Sequence, residues 1–104
     1  MITIYGSEMC PSCIVCKKNF DTNNIEYEFK DITKNLHFLK EFLIYRDRES
    51  AFDRAKEIHH IGIPAILKED GTVFTDWETF LIEKGLKVIK EDDKKSCSIT
   101  KKGC

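Results

Sequence analysis

The sequence Cys10-Pro11-Ser12-Cys13 stands where a short alternation of apolar and polar residues gives way to a run with helical periodicity. Proline suits the first position of a helix, because the N–H group that it lacks would have no partner there. Cys10 is therefore expected at a helix N-terminus, where main-chain N–H groups favour an anionic thiolate, the nucleophilic form of cysteine. Cys13 is then placed to attack a mixed disulfide formed by Cys10. This spacing predicts thiol–disulfide exchange.

Two other interpretations of the two cysteines stay open. A C-x-x-C pair can form half of a zinc site, but such a site needs a second pair of ligands. His59 and His60 are adjacent in the sequence and do not have the usual zinc-finger spacing. The two cysteines could also be buried structural residues. A C-x-x-C pair near an α/β pattern favours the redox interpretation.

Composition limits the class of protein. The chain has 104 residues, the size of one domain, and a formal net charge of -1, which gives no reason to expect nucleic acid or an anionic membrane as a partner. No apolar run approaches the length of a membrane span. The N-terminus reads directly as a strand rather than as a signal peptide, and we therefore expect a cytoplasmic protein with reduced thiols. Five cysteines, an odd number, argue against a closed disulfide framework.

Hydrophobic periodicity predicts an α/β fold. The expected strands cover residues 1–5, 25–30, 64–67 and 72–74. The first expected helix runs from 11 to about 22. A second passes through Leu36, Leu39 and Leu43, with Phe42 beside them, and a period through Phe52, Ala55 and Ile58 continues it or forms a further helix. The last runs from a capping box at Thr75 and Glu78 to Gly85. The order predicts a parallel β-α-β unit followed by a hairpin and a helix. Residues 1–89 are expected to form the domain, and the polar residues 90–104 a mobile tail.

This order, with C-P-x-C at the first strand–helix junction, resembles the glutaredoxin branch of the thioredoxin superfamily over roughly residues 1–85. Gly62-Ile63-Pro64 matches the Thr-Val-Pro of that family, whose proline is cis, and Asp70-Gly71 stands at its hairpin. The similarity is greatest to small bacterial glutaredoxin-related proteins. It implies a thioredoxin fold, with a four-stranded mixed sheet flanked by helices.

The resemblance also implies an activity. Cys10 would be the nucleophile and Cys13 the resolving thiol of a dithiol–disulfide oxidoreductase that reduces protein or glutathione mixed disulfides. It requires no organic cofactor or metal, glutathione is a candidate co-substrate, and we expect a monomer. The residues expected to contact substrate are Ser12, Ile63, Pro64, Asp76 and Trp77. Two alternatives are an iron–sulfur or metal carrier and a redox-inert module that binds peptides along Ile63 and Pro64.

The sequence departs from the glutaredoxin pattern at three places. Ser7, followed by Glu8, replaces a lysine that often meets a glutathione carboxylate. Ser12 replaces an aromatic residue between the cysteines. The Gly-Gly before the last helix is absent, and residues 74–77 take its place. These differences predict weak handling of glutathione compared with typical glutaredoxins.

Other chemistry-bearing residues have ordinary structural interpretations beside functional ones. Cys16 shares a helix face with Phe20 and is expected to be a buried structural cysteine rather than a cluster ligand. Cys97 and Cys104 are expected to be exposed thiols in the tail, although they could pair or exchange with Cys10 and Cys13. His59 and His60 are interpreted as residues at a helix end, and Asp76 as a helix cap. Arg46, Asp47 and Arg48 are interpreted as a solvated charge cluster, and Trp77 as a core anchor.

Overall fold

The computed structural model describes residues 1–89, which form four strands and four α-helices. The strands are β1 (Ile2–Gly6), β2 (Tyr27–Asp31), β3 (Ala65–Leu67) and β4 (Val73–Phe74). The helices are α1 (Pro11–Thr22), α2 (Leu36–Arg48), α3 (Asp53–Glu57), which follows a 3-10 turn at Ser50–Phe52, and α4 (Trp77–Glu83).

The four strands form one mixed sheet in the order β2-β1-β3-β4. β1 and β2 are parallel, with Ile4 opposite Phe29, because the α1 crossover returns the chain in the same direction. β3 runs antiparallel to β1 and to β4, and a short turn joins the last two strands. The prediction of an α/β fold with a four-stranded mixed sheet and flanking helices is therefore confirmed.

The buried residues form two clusters, and neighbouring residues of β1 belong to different ones, as the alternation of a strand requires. The cluster that we call the thiol cluster consists of Tyr5, Cys10, Cys13, Ile32, Phe42, Phe52, Ile63, Ala65 and Val73. The cluster that we call the Trp77 cluster consists of Ile4, Cys16, Phe20, Ile66, Trp77 and Leu81. Helix α1 contributes cysteines to both.

The buried face of α2 follows the predicted pattern only in part. Phe42 is 1% exposed and Leu39 packs against the thiol cluster, as the pattern predicted, but Leu36 and Leu43 are 81% and 40% exposed. Phe38 and Tyr45 pack against the thiol cluster beside Phe42. These three aromatic residues also recur at helical spacing, and their larger apolar area decides which face is buried.

Two element boundaries also differ from the sequence prediction. Strand β2 begins at Tyr27 because the N–H of Ile25 still donates to the carbonyl of Phe20, at 2.9 Å, and ends the α1 turn. The cap of α4 is Asp76 rather than Thr75: the Asp76 carboxylate accepts from the N–H of Thr79 at 3.1 Å. An aspartate satisfies that N–H group as well as a threonine does, so the capping box assigned to Thr75 was wrong by one residue.

Two further observations bear on organisation. No helix within residues 1–89 is long and apolar enough to cross a membrane. The predictions for the tail, including those for Cys97 and Cys104, lie outside the described residues.

Candidate active site

The two thiols of the C-x-x-C sequence lie at the start of α1. Cys10 is the N-cap residue, with extended backbone angles, and Pro11 occupies the first helical position, as predicted. The N–H of Cys10 donates to the carbonyl of Ser7 at 3.1 Å, and the carbonyl of Cys10 accepts from the N–H groups of Cys13 and Ile14. A hydrogen-bonded turn on one side and the first turn of the helix on the other therefore fix the Cys10 main chain.

The two thiols differ in exposure. Cys10 keeps 6% of its surface accessible, whereas Cys13 keeps none. The Sγ atom of Cys13 accepts a hydrogen bond from the N–H of Ser7 at 3.4 Å. An incoming sulfur can therefore reach Cys10 before Cys13, which agrees with the predicted order of nucleophile and resolving thiol.

Gly6 makes room for the resolving thiol. A Cβ atom at this position would lie 2.8 Å from Sγ of Cys13 and 3.1 Å from the ring of Phe29. Because side-chain carbon atoms do not approach buried atoms so closely, a larger residue here would displace one of them. The packing role of Gly6 depends on Cys13, seven residues further on, and the sequence alone did not indicate it.

The segment Gly62-Ile63-Pro64 lies against the same cluster. The Ile63–Pro64 peptide bond is cis, as the resemblance to glutaredoxins predicted. Ile63 is 7% exposed and packs in the thiol cluster with both thiols. The β1–β3 ladder starts only at Ala65, paired with Tyr5, so Ile63 lies beyond the last paired residues of the sheet.

Gly62 holds this segment close to the core. Its φ of +99° belongs to the region that favours glycine, and a Cβ atom here would lie 2.9 Å from the ring of Phe52. The residue before the isoleucine must therefore be small and conformationally free. The threonine found here in the glutaredoxin pattern would be strained on the backbone that this chain adopts.

Arg46 supports the segment from the other side. Its Nε donates to the carbonyl of Ile61 at 2.7 Å, and one terminal nitrogen donates to the carbonyl of His60 at 2.6 Å. The prediction that Arg46 belongs to a solvated charge cluster was therefore wrong. Main-chain carbonyls outside regular structure need partners, but the sequence does not show which distant side chain supplies them.

Ser7 and Glu8 form a compact turn before Cys10. Ser7 is 2% exposed, and its hydroxyl forms a hydrogen bond with the hydroxyl of Thr33 and accepts another from the N–H of Met9 at 3.0 Å.

Glu8 is paired with two lysines. Its carboxylate accepts a hydrogen bond from Nζ of Lys34 at 2.9 Å, and Nζ of Lys17 lies 3.7 Å away. The hydrogen bond from Lys34 is the main reason that the pKa of Glu8 lies below its ordinary value. Glu8 is therefore not an isolated negative charge.

The other predicted substrate residues lie in different surroundings. Ser12 is half-buried in the first turn of α1, and Asp76 caps α4 through Thr79. Trp77 is 7% exposed and packs in the Trp77 cluster, not in the thiol cluster that contains Cys10. The packing of Trp77 is that of a core anchor, and substrate contact by Asp76 and Trp77 stays a prediction.

Cys16 is fully buried in the Trp77 cluster, and this confirms the expectation of burial. Burial raises the pKa of its thiol well above the ordinary value, because a thiolate there would lose its hydration. Within residues 1–89, no group of three or more histidine, cysteine, aspartate or glutamate side chains is arranged to hold a metal ion. Cys16 therefore does not join Cys10 and Cys13 in a ligand set in this structure.

The chain is 32% identical over 73 residues to a Haemophilus influenzae protein described as "Uncharacterized protein", and the match covers 70% of this chain and 85% of that one. The chain belongs to the family of that protein. No protein-family model and no solved structure matches the chain. The family relationship thus carries no activity with it.

Proposed function

We propose that this protein is a glutaredoxin-like dithiol–disulfide oxidoreductase with a thioredoxin fold. The observation that carries the proposal is the position of Cys10 at the N-cap of α1, with 6% of its surface accessible, and the fully buried thiol of Cys13 one turn away. The cis peptide bond before Pro64 and the packing of Ile63 beside both thiols support it. The element order and the mixed sheet agree with that fold.

The reaction follows from the different exposure of the two thiols. The thiolate of Cys10 attacks one sulfur of a substrate disulfide, forms a mixed disulfide and releases the first substrate thiol. Cys13 then loses its proton, attacks Sγ of Cys10 and releases the second substrate thiol. The substrate gains two electrons and two protons, and the protein is left with a Cys10–Cys13 disulfide. Two thiols of glutathione, or a dithiol reductase, return the protein to its reduced form.

Substrate would be held at the end of the sheet beside the thiols. An extended peptide, or the cysteinyl part of glutathione, can pair with the main chain of Ile63 as a short added strand. In this proposal Ser12 and Pro64 also contact the substrate, and Asp76 accepts from the ammonium group of a γ-glutamyl residue. We propose a monomeric cytoplasmic protein that acts on disulfide-containing proteins or glutathione mixed disulfides and needs no metal.

The proposal is tested with the purified protein and a peptide disulfide. Oxidised protein should lose two hydrogens, and mass spectrometry of its fragments should link Cys10 to Cys13. A Cys13→Ser variant should accumulate a mixed disulfide at Cys10, and a Cys10→Ser variant should form none. Cys16→Ala serves as the matched control, because it removes a thiol that lies in the other cluster.

Two results would overturn the proposal. If Cys10 and Cys13 do not oxidise reversibly, a redox-inert peptide-binding module becomes the better interpretation. If protein purified without oxygen shows the absorbance of an iron–sulfur cluster that the Cys10→Ser variant lacks, the carrier alternative replaces the enzyme.

A further inference from the structure

A cavity of about 550 Å³ opens between α2 and the loop that follows α3. Phe42, a member of the thiol cluster, forms part of its lining. Leu43 and Ile61 also line it, and they are 40% and 45% exposed. The cavity therefore presents apolar surface to solvent, and its volume lies within the range of small binding sites.

The charged residues that line this cavity are positive. Arg46 and Lys56 carry the charge, His59 and His60 add polar side chains, and no acidic residue is among the described residues that line it. Arg46 uses two of its N–H groups on main-chain carbonyls but keeps its charge. Lys56 lies 4.0 Å from Asp53, whose side chain is 72% exposed, so this ion pair is weak.

The end of α3 brings the histidines to the cavity. His59 has a φ of 62°, a left-handed conformation that often follows the last residue of a helix. The N–H of His60 donates to the carbonyl of Ala55 at 2.7 Å and closes this turn. Both imidazoles therefore belong to the cavity lining because of the way the helix ends.

The cavity adjoins the proposed substrate position through the chain itself. Ile61 lines the cavity, and Ile63, two residues later, packs beside Cys10. Arg46 fixes the carbonyls of His60 and Ile61, so the cavity wall and the loop before Pro64 are held as one unit. Two residues of chain span at most about 7 Å, so the cavity lies within reach of a peptide bound at Ile63.

We infer that this cavity, which we call the α2–α3 cavity, binds an acidic and an apolar side chain next to the reactive cysteine of a disulfide-containing protein substrate. The apolar side chain would contact Leu43 and Ile61, and the carboxylate would lie near Lys56. This inference rests on the proposed oxidoreductase function and adds the substrate class, a protein segment with acidic and apolar residues around its disulfide.

The test compares synthetic peptides that carry one cysteine in a disulfide with a chromophoric thiol. One peptide has leucine and glutamate beside the cysteine, a second has lysine in place of the glutamate, and a third has glycine in place of the leucine. At low salt, the full-length protein should reduce the first peptide with a kcat/KM about threefold to fivefold above that of the second, the range expected for an exposed charge contact. Added salt should reduce this ratio.

Two variants and a matched control connect the preference to the cavity. Lys56→Glu should abolish or reverse the ratio between the first and second peptides. Arg54→Glu makes the same change of charge on α3, but Arg54 does not line the cavity, so this variant should keep the ratio. Leu43→Ser, at an exposed position, should lower the advantage of the first peptide over the third. Circular dichroism checks that each variant is folded.

The outcomes separate the two proposals. Equal reduction of all three peptides by the wild-type protein would contradict the inference about the cavity and leave the oxidoreductase proposal intact. So would a preference that Lys56→Glu and Arg54→Glu change to the same extent. If none of the peptides is reduced, the proposed function fails, and the inference that rests on it fails too.

Discussion

The side-chain amide of Asn19 forms two hydrogen bonds with the main chain of Ile89. Its Nδ2 donates to the carbonyl of Ile89 at 2.8 Å, and the N–H of Ile89 donates to its Oδ1 at 2.6 Å. Asn19 is fully buried in α1, and its Nδ2 also donates to the carbonyl of Val15. Asn23 repeats the contact one turn later by donating to the carbonyl of Lys87 at 2.9 Å. Residues 87–89 are therefore fastened to α1.

Removal of residues 91–104 should leave the melting temperature and the disulfide exchange rate nearly unchanged. Removal of residues 87–104 should lower the melting temperature, because the buried amide of Asn19 loses its partners in Ile89. An unsatisfied buried polar group costs about 1–3 kcal/mol. Thermal unfolding of the two truncated proteins measures the difference. Equal losses in both would show that the asparagine contacts add little.

Cys10 should be alkylated faster than an ordinary thiol at neutral pH, because main-chain N–H groups at the start of α1 stabilise its thiolate. The inflection of the alkylation rate against pH should lie below about 8.5, the ordinary thiol value. Peptide mapping should show that Cys16 stays unmodified, since burial raises its pKa. An inflection at the ordinary value would contradict the assignment of Cys10 as nucleophile.

Glu41 should make stability depend on pH. Its carboxylate accepts from Nζ of Lys30 at 3.1 Å and from the hydroxyl of Tyr5 at 2.9 Å, and these bonds, led by that from Lys30, hold the pKa of Glu41 below its ordinary value. A lowered pKa contributes stability above the unfolded value of about 4.3, and this contribution is lost as pH falls through the folded value. Burial, together with the hydrogen bond to Glu41, raises the pKa of Tyr5.

Glu41→Gln should therefore lower the melting temperature at pH 7, and the difference from the wild-type protein should shrink between about pH 5 and pH 3. Melting curves at several pH values provide the measurement. Glu26→Gln, at an exposed position before β2, is the control and should change little. A difference that stays constant down to low pH would mean that the charge of Glu41 does not matter.

Gly6→Ala should destabilise the protein by about 1–3 kcal/mol, the usual cost of overpacking, because its Cβ would meet Sγ of Cys13 at 2.8 Å. The cost should be smaller when Cys13 is also replaced by alanine, since the sulfur is then absent. Unfolding of both single variants and the double variant in denaturant gives this coupling. Equal costs in the two backgrounds would assign the strain to Phe29 instead.

Glu8→Gln should raise the rate at which a glutathionylated peptide is reduced by a few-fold at low salt. It removes a carboxylate that pairs with Lys34 and Lys17, and both lysines could then attract a glutathione carboxylate. Glu26→Gln again serves as the control for the change in net charge. Ser7→Lys is not a useful addition, because Ser7 is buried and hydrogen-bonded. Unchanged rates would show that this turn does not affect glutathione.

The sequence predicted the elements whose signals are local. Cys10, Pro11 and the helical run after them were enough to place α1, and Asp70-Gly71 placed the turn between β3 and β4. The cis bond before Pro64 required the resemblance to glutaredoxins, because proline alone favours trans. Each of these features depends on residues close together in the chain or on a known pattern.

The contacts that hold the site in place could not be predicted, because they join residues that are distant in the sequence. Arg46 reaches the carbonyl of Ile61, and Gly6 faces Cys13 only after α1 has folded against β1. The predicted face of α2 contained Leu36, Leu39 and Leu43 with Phe42, but Phe38 and Tyr45 pack beside Phe42 while Leu36 and Leu43 stay exposed. A single sequence shows which apolar residues of α2 could face the core, but not the tertiary contacts that decide which of them do.

Helix α1 also gives the protein an optical signal. Cys13 lies in the thiol cluster and Cys16, one turn later, in the cluster that contains Trp77. The chain has a single tryptophan, so its fluorescence comes from one known place in the fold. If formation of the proposed Cys10–Cys13 disulfide moves α1, the surroundings of that indole ring would change. The emission of the unlabelled protein would then report the proposed redox change without a probe.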